Sequence, residues 1–76
     1  MKVLVLDIET NLAHDTIWCC GCYYDGYTSV YTEPKRVQSL IDEADEVVGH
    51  NIIGFDGPVL SRVWGVTIPL RKVRDT

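Results

Sequence analysis

Apolar residues come in short bursts along this chain, and their spacing changes character from strand-like to helical. KVLVLDIE, residues 2–9, puts Val3, Val5, Asp7 and Glu9 on one face of an extended strand and Leu4, Leu6 and Ile8 on the other. Apolar side chains fall on both faces, so the pattern predicts a central strand covered on both sides. TNLAHD reads as a loop. TIWCCGCYYD and YTSVYT are rich in aromatic and β-branched residues, and Asp25-Gly26 between them is a hairpin-turn signal. The first three strands are expected to form an antiparallel meander. The period then lengthens: Val37, Leu40, Ile41 and Ala44 recur at i, i+3, i+4 and i+7, one apolar stripe of a helix. Thr32 can cap that helix and Pro34 suits its first turn. EVVGHN reads as a short buried strand, so strand, helix and strand suggest a parallel crossover. FDGPVLSRVWG reads as a second short helix, with Val59, Leu60, Val63 and Trp64 on its apolar face and Gly65 as its C-cap. The tail, VTIPLRKVRDT, holds a Pro-marked turn and the start of a further strand. The predicted class is α/β, without repeat, linker or low-complexity segment.

Length and charge narrow this picture. The chain has 76 residues, enough for one small domain and a modest core, and 46% hydrophobic content makes it globular rather than disordered. Eleven acidic against seven basic residues give a net charge of -4, which does not attract nucleic acid unaided. If the partner is a polyanion, something else must carry positive charge, and bound metal ions are the usual device. No apolar run is long enough to cross a bilayer and no signal-peptide pattern opens the chain, so a cytoplasmic location without membrane contact is expected. The three cysteines, Cys19, Cys20 and Cys22, are an odd and clustered set that argues against a disulfide framework. The tail stops at Thr76 with no terminating helix or polar run, and reads as a chain cut inside a domain.

The candidate chemistry lies in carboxylates. Asp7 and Glu9 share one face of the first strand, where mutual repulsion would be costly and would raise one pKa. A hard divalent ion such as Mg2+ or Mn2+ removes that cost. From this pair alone, two acids left in solvent at a strand end fit equally well. Asp56 changes the balance. It lies at i relative to Val59, Leu60 and Val63 at i+3, i+4 and i+7, on the apolar face of the second helix, with no lysine or arginine near it in sequence. A first-turn acid favoured by the helix dipole explains its place along the helix but not its face. Asn51 and His50 directly follow a buried strand, and ligands of α/β sheets gather beyond the carboxyl ends of parallel strands.

DIET followed by HNIIGFD resembles the first two motifs of the DEDD 3′–5′ exonuclease superfamily: Asp-x-Glu near the N-terminus, then Asn, a short spacer, Phe or Tyr, and Asp. Within that superfamily the chain is most similar to the N-terminal proofreading domain of podophage-type family A DNA polymerases. CCGCYYD is similar to their Cys-Gly-containing second strand ending in Tyr-Asp, and RDT resembles the Asp-Thr segment after their second motif. The resemblance implies an RNase H-like exonuclease fold, two divalent cations (Mg2+ or Mn2+), a single-stranded DNA 3′ end as substrate, and the remainder of a polymerase chain as partner. It implies that Asp7 bridges two metals, that Glu9 ligates one of them and helps position the attacking water, and that Asp56 holds the second metal through its water shell. It further implies that Thr10, by its backbone N–H, and Leu12, by wedging the base, sit under the terminal nucleotide, while Asn51 and Phe55 contact the scissile end. The family's third motif, with a fourth carboxylate and a general-base Tyr or His, has no match after Asp56, and Asp75 is too close to be it. The chain is thus expected to be the N-terminal half of one exonuclease domain, binding metal weakly and cleaving poorly by itself.

Other features are given plainer readings. Only Cys20 and Cys22 can share a strand face, and without a second ligand pair they read as thiols rather than a zinc site. His50 reads as a hydrogen-bonding structural residue, His14 as a loop residue, Arg71, Lys72 and Arg74 as a solvated face, and Trp18 and Trp64 as core. An aspartyl phosphatase fits poorly, because Asp7, Glu9 and Asn11 stand where Asp-x-Asp and then Thr or Val are wanted. A 3′–5′ exoribonuclease of the same superfamily and an inert, fold-only binding module are the remaining alternatives.

Overall fold

The computed structural model describes all residues, Met1–Thr76. Five strands form one mixed sheet in the order β3-β2-β1-β4-β5, comprising β1 (Val3–Thr10), β2 (Ile17–Tyr24), β3 (Tyr27–Tyr31), β4 (Glu46–Gly49) and β5 (Val73–Asp75). β1, β2 and β3 are the antiparallel meander, and β4 and β5 join in parallel. Helix α1 (Pro34–Glu43) connects β3 to β4. A second helix, residues 52–64, connects β4 to β5; it winds with π-type turns at Ile52–Asp56 and Leu60–Trp64 around one α-turn. This is a partial RNase H-like α/β fold, with the expected order of meander, helix, parallel strand and helix.

Local chemistry accounts for most element boundaries. Asp25 and Gly26 adopt φ of 52° and 81°, the two left-handed residues of a tight hairpin, so Tyr24 pairs with Tyr27. Pro34 opens α1, but its N-cap is Glu33 rather than Thr32, and no side chain caps it. The residue before a proline is pushed to extended backbone, and Glu33 obeys at φ -107° and ψ 119°. Its carbonyl then accepts the Arg36 and Val37 amides at 3.1 and 3.4 Å. Gly65, left-handed at φ 68°, ends the second helix.

The core lies on one side of the sheet only. Leu4, Leu6 and Ile8 of β1, Cys20 and Cys22 of β2, Val37 and Ile41 of α1, and Val59 and Leu60 of the second helix belong to a single buried cluster. The opposite face of β1 is not covered: Val3 and Val5 are 37% and 41% exposed. Both parallel crossovers step in the same direction across the sheet, so their common right-handedness puts both helices on one face. The expected double covering of β1 is corrected accordingly.

Three further expectations are corrected. Trp18 is 62% exposed, because a register shift at Glu9/Thr10 leaves it in a bulge between the pairs Glu9↔Cys19 and Thr10↔Ile17. Trp64 does pack against the core, though only partly buried. Lys72 is not on a solvated face. Its stem is buried, and its ammonium donates to the carbonyls of Ile41 and Asp42 at 3.0 Å each, satisfying orphan acceptors at the end of α1. His50 is exposed and makes no side-chain hydrogen bond.

Candidate active site

β4 runs beside β1 only as far as the pair Val5↔Val48. Beyond it the N–H of Ile8, a buried residue, has no strand to bond. The second helix brings Asp56 into this gap, and its Oδ2 accepts the Ile8 N–H at 3.2 Å. Asp56 is 3% exposed. Burial is the main cause that pushes its carboxyl up to about 6; the Ile8 N–H opposes the shift, and the charges of Asp7 and Asp75 add to it. The chain has two ion pairs, Lys2–Glu43 and Arg74–Glu46, and neither involves this rim. Asp56 is therefore a buried carboxylate with acidic neighbours and no counter-charge.

Asp7 and Glu9 project from the open face of β1, both exposed and neither hydrogen-bonded through its side chain. They border a shallow hollow of about 360 Å³ that Cys19, Tyr23 and Val30 also line. Asp7 is close enough for its charge to act on Asp56. Glu9 stays further along the strand, and no group of three or more His, Cys, Asp or Glu side chains is close enough to hold a metal ion as the chain stands. The donor chemistry nonetheless suits a hard divalent cation. Asp7 and Asp56 offer carboxylate oxygens only, at a rim where positive charge is missing, and Mg2+ or Mn2+ prefers such oxygens while keeping several waters. These two residues would hold the ion, and Glu9 is the carboxylate next in reach along the same face.

The remaining candidates surround the rim. Thr10 is half-buried, and its hydroxyl donates to the Asn11 carbonyl at 2.9 Å. Leu12 is 98% exposed at the tip of the following loop. That loop is held by Asn11, whose Oδ1 accepts the amides of Asp15 and Thr16 at 3.1 Å and whose amide nitrogen donates to Asp15 Oδ1 at 2.6 Å. The Asn11 amide first, and next the Thr16 hydroxyl, which donates to Asp15 Oδ1 at 3.2 Å, keep the Asp15 carboxyl below its ordinary value. The loop is also fastened to the second helix: Arg62 donates to the His14 carbonyl at 2.7 Å, and the His14 ring meets Phe55 edge-on with centroids 4.8 Å apart. Phe55 is half-buried, Asn51 is exposed and left-handed at φ 53°, and the Asn51 amide lies over Gly54. A Cβ at Gly54 would come within 2.5 Å of Asn51 Oδ1, so only glycine leaves that amide its place.

The sequence reading missed three contributors. Asn11 carried a signal, an Asx-type residue four before an aspartate in a loop. Asp75, whose Oδ2 accepts the Ile53 N–H at 2.8 Å, stood in the RDT segment but with no role attached, and the His14–Phe55 contact carried no signal.

Fold and rim together describe a partial RNase H-like α/β sheet with Asp56 buried beyond the end of β4 and Asp7 exposed on β1. Among solved structures the chain is similar to the family B DNA polymerase from the hyperthermophilic archaeon Pyrobaculum calidifontis, with a TM-score of 0.67 and 26% identity over 96% of this chain. It spans 12% of that polymerase's length. No family model matches, and no curated protein matches. The likeness is thus to part of a DNA polymerase. No helix is long and apolar enough to cross a membrane.

Proposed function

We propose that this chain is part of the 3′–5′ exonuclease domain of a DNA polymerase, a proofreading unit that hydrolyses the terminal phosphodiester of single-stranded DNA. The observation that carries this reading is Asp56: a buried carboxylate, raised in pKa, beside Asp7 and without a counter-charge. Support comes from the Asp7-x-Glu9 and Asn51…Phe55-Asp56 motifs, which fall on β1 and the second helix, and from the likeness to a DNA polymerase over nearly the whole chain. The family A kinship suggested by CCGCYYD and RDT is the finer form of the same proposal.

Divalent cations, when bound, supply the Lewis acidity for phosphodiester hydrolysis and the positive charge that an acidic rim and a polyanion both lack. The chain's own residues do the rest. Asp7 and Asp56 hold the ion, and Glu9, exposed on the same strand face, accepts a hydrogen bond from the attacking water and orients it. The backbone N–H of Thr10 and the side chain of Asn51 fix the terminal nucleotide. Leu12 and Phe55 offer apolar surface on which an unpaired base can rest, which selects a single-stranded end.

The test is calorimetric titration of the whole chain with Mn2+. Binding that Asp7→Ala and Asp56→Asn each abolish is expected. Absence of heat, or equal heat from all three proteins, refutes the nuclease reading. That outcome favours the fold-only binding module, whose supporting observation is that Asp7, Glu9 and Asp56 do not close into one metal-holding group as the chain stands.

A further inference from the structure

A helix entering from a strand is ordinarily capped by its own N-cap side chain. The second helix is not. Asn51 occupies the N-cap position, but it is left-handed and its side chain bonds no helix N–H. The cap comes from the far side of the connection. Asp75, the last residue of β5, is paired with Gly49, and its Oδ2 accepts the Ile53 N–H at 2.8 Å. The next residue grips the other end of the same turn: the Thr76 N–H donates to the Gly49 carbonyl at 3.1 Å, with its hydroxyl 3.5 Å from the same oxygen. Asp75 and Thr76 therefore clamp residues 49 and 53, the two ends of the turn that launches the helix.

We infer that Asp75 is a positioning residue for Asp56: by holding the first turn of the second helix to β5, it fixes the rotation that delivers the Asp56 carboxylate to the Ile8 N–H. Ile53 and Asp56 belong to the same π-type first turn, Ile52–Asp56, so the bond that holds the Ile53 N–H also holds the turn that carries the Asp56 carboxylate. A rotation of the first turn that broke the Asp75 bond would swing Asp56 along the rim, away from Ile8 and Asp7. Displacements on the order of 1 Å at a reacting group cost about a hundredfold in rate. The acid after the second motif thereby has a role without being a metal ligand, and its hold on the helix lies in acceptor geometry, separate from the charge it adds near Asp56. Its importance for hydrolysis rests on the exonuclease reading above; the placement itself does not.

The Ile8 amide reports the placement directly, without metal or substrate. Amide hydrogen exchange of the whole chain is measured by NMR in EDTA for wild type, Asp75→Ala and Asp75→Asn. Asp75→Ala should speed exchange at both Ile53 and Ile8 by about tenfold, the loss of one hydrogen bond, while the β2–β3 hairpin amides keep their protection. Asp75→Asn keeps an acceptor oxygen and should restore both. Unchanged Ile8 exchange in Asp75→Ala overturns the inference. So does loss at Ile8 in Asp75→Asn while the hairpin stays protected. If Asp75→Ala unfolds altogether, the Asn variant decides alone: Ile8 protection retained supports the clamp, and its loss overturns it. The Mn2+ titration with Asp7→Ala judges the nuclease reading separately, since the Ile8 amide answers whether or not the chain binds metal.

Discussion

Replacing Asp56 by Asn preserves shape and the acceptor that the Ile8 N–H uses, and deletes only the charge. In the folded chain burial lifts this carboxyl from its ordinary 3.8 to about 6, with Asp7 and Asp75 adding to the rise and the Ile8 N–H opposing it. The folded value lies above the unfolded one, so between them the folded chain binds more protons than the unfolded chain. Stability carried by the protonated carboxyl is therefore complete below pH 3.8 and is lost as the pH rises to about 6. Above that, keeping the charge in place costs at most ~3 kcal/mol, and water reaching the rim lowers the figure. In EDTA at pH 7.5, Asp56→Asn should be more stable than wild type by up to that amount; at pH 4 the two should nearly coincide. Urea unfolding followed by the fluorescence of half-buried Trp64 measures both. Added Mn2+ should then stabilise wild type and leave the variant unmoved, reversing their order. A wild-type stability that stays flat from pH 4 to 7.5, or a variant less stable at pH 7.5, refutes the account of Asp56 as a strained, uncompensated acid.

Lys72→Met should cost roughly 2 kcal/mol in urea unfolding, because it leaves the Ile41 and Asp42 carbonyls without their charged donor; an unchanged midpoint would count against the buried cap. Gly26→Ala should cost about 1 kcal/mol by the same assay, since φ at that position is 81°, and a variant as stable as wild type would deny the turn geometry. Thiol titration of the native chain should label half-exposed Cys19 alone. Cys20 and Cys22 are buried with sulfurs 3.8 Å apart, and the Cys20 thiol is pushed up by its bond to Cys22 and by burial. More than one rapid equivalent in the native state would contradict that packing.

Much of the site was open to inspection in the linear chain. Asp56 falls on the helix face shared with Val59 and Leu60, and both of those residues are buried, so its inward aim followed from a period of 3.6. The meander, the Asp25-Gly26 turn and the Gly65 cap were likewise local matters, each fixed by a few adjacent residues. Lys72 and Trp18 resisted the same reasoning. A lysine between two arginines has the pattern of a wet face, and only the approach of β5 to the end of α1 gives its ammonium two carbonyls to bond. A tryptophan among β-formers has the pattern of a core residue, and only the bulge opposite Glu9 and Thr10 turns it outward.

The amino-acid order alone therefore indicated where strands, helices and the hairpin turn lie, since helix and strand periods and turn residues act over a few positions. It also pointed Asp56 inward with no local counter-charge. Which face of β1 is covered, how near Asp7 comes to Asp56, and who caps the second helix were settled by assembly. The deciding bonds join residues 48 apart for Ile8 and Asp56 and 22 apart for Ile53 and Asp75. Such contacts depend on strand order and on where β4 stops, and neither leaves a periodic trace in the sequence.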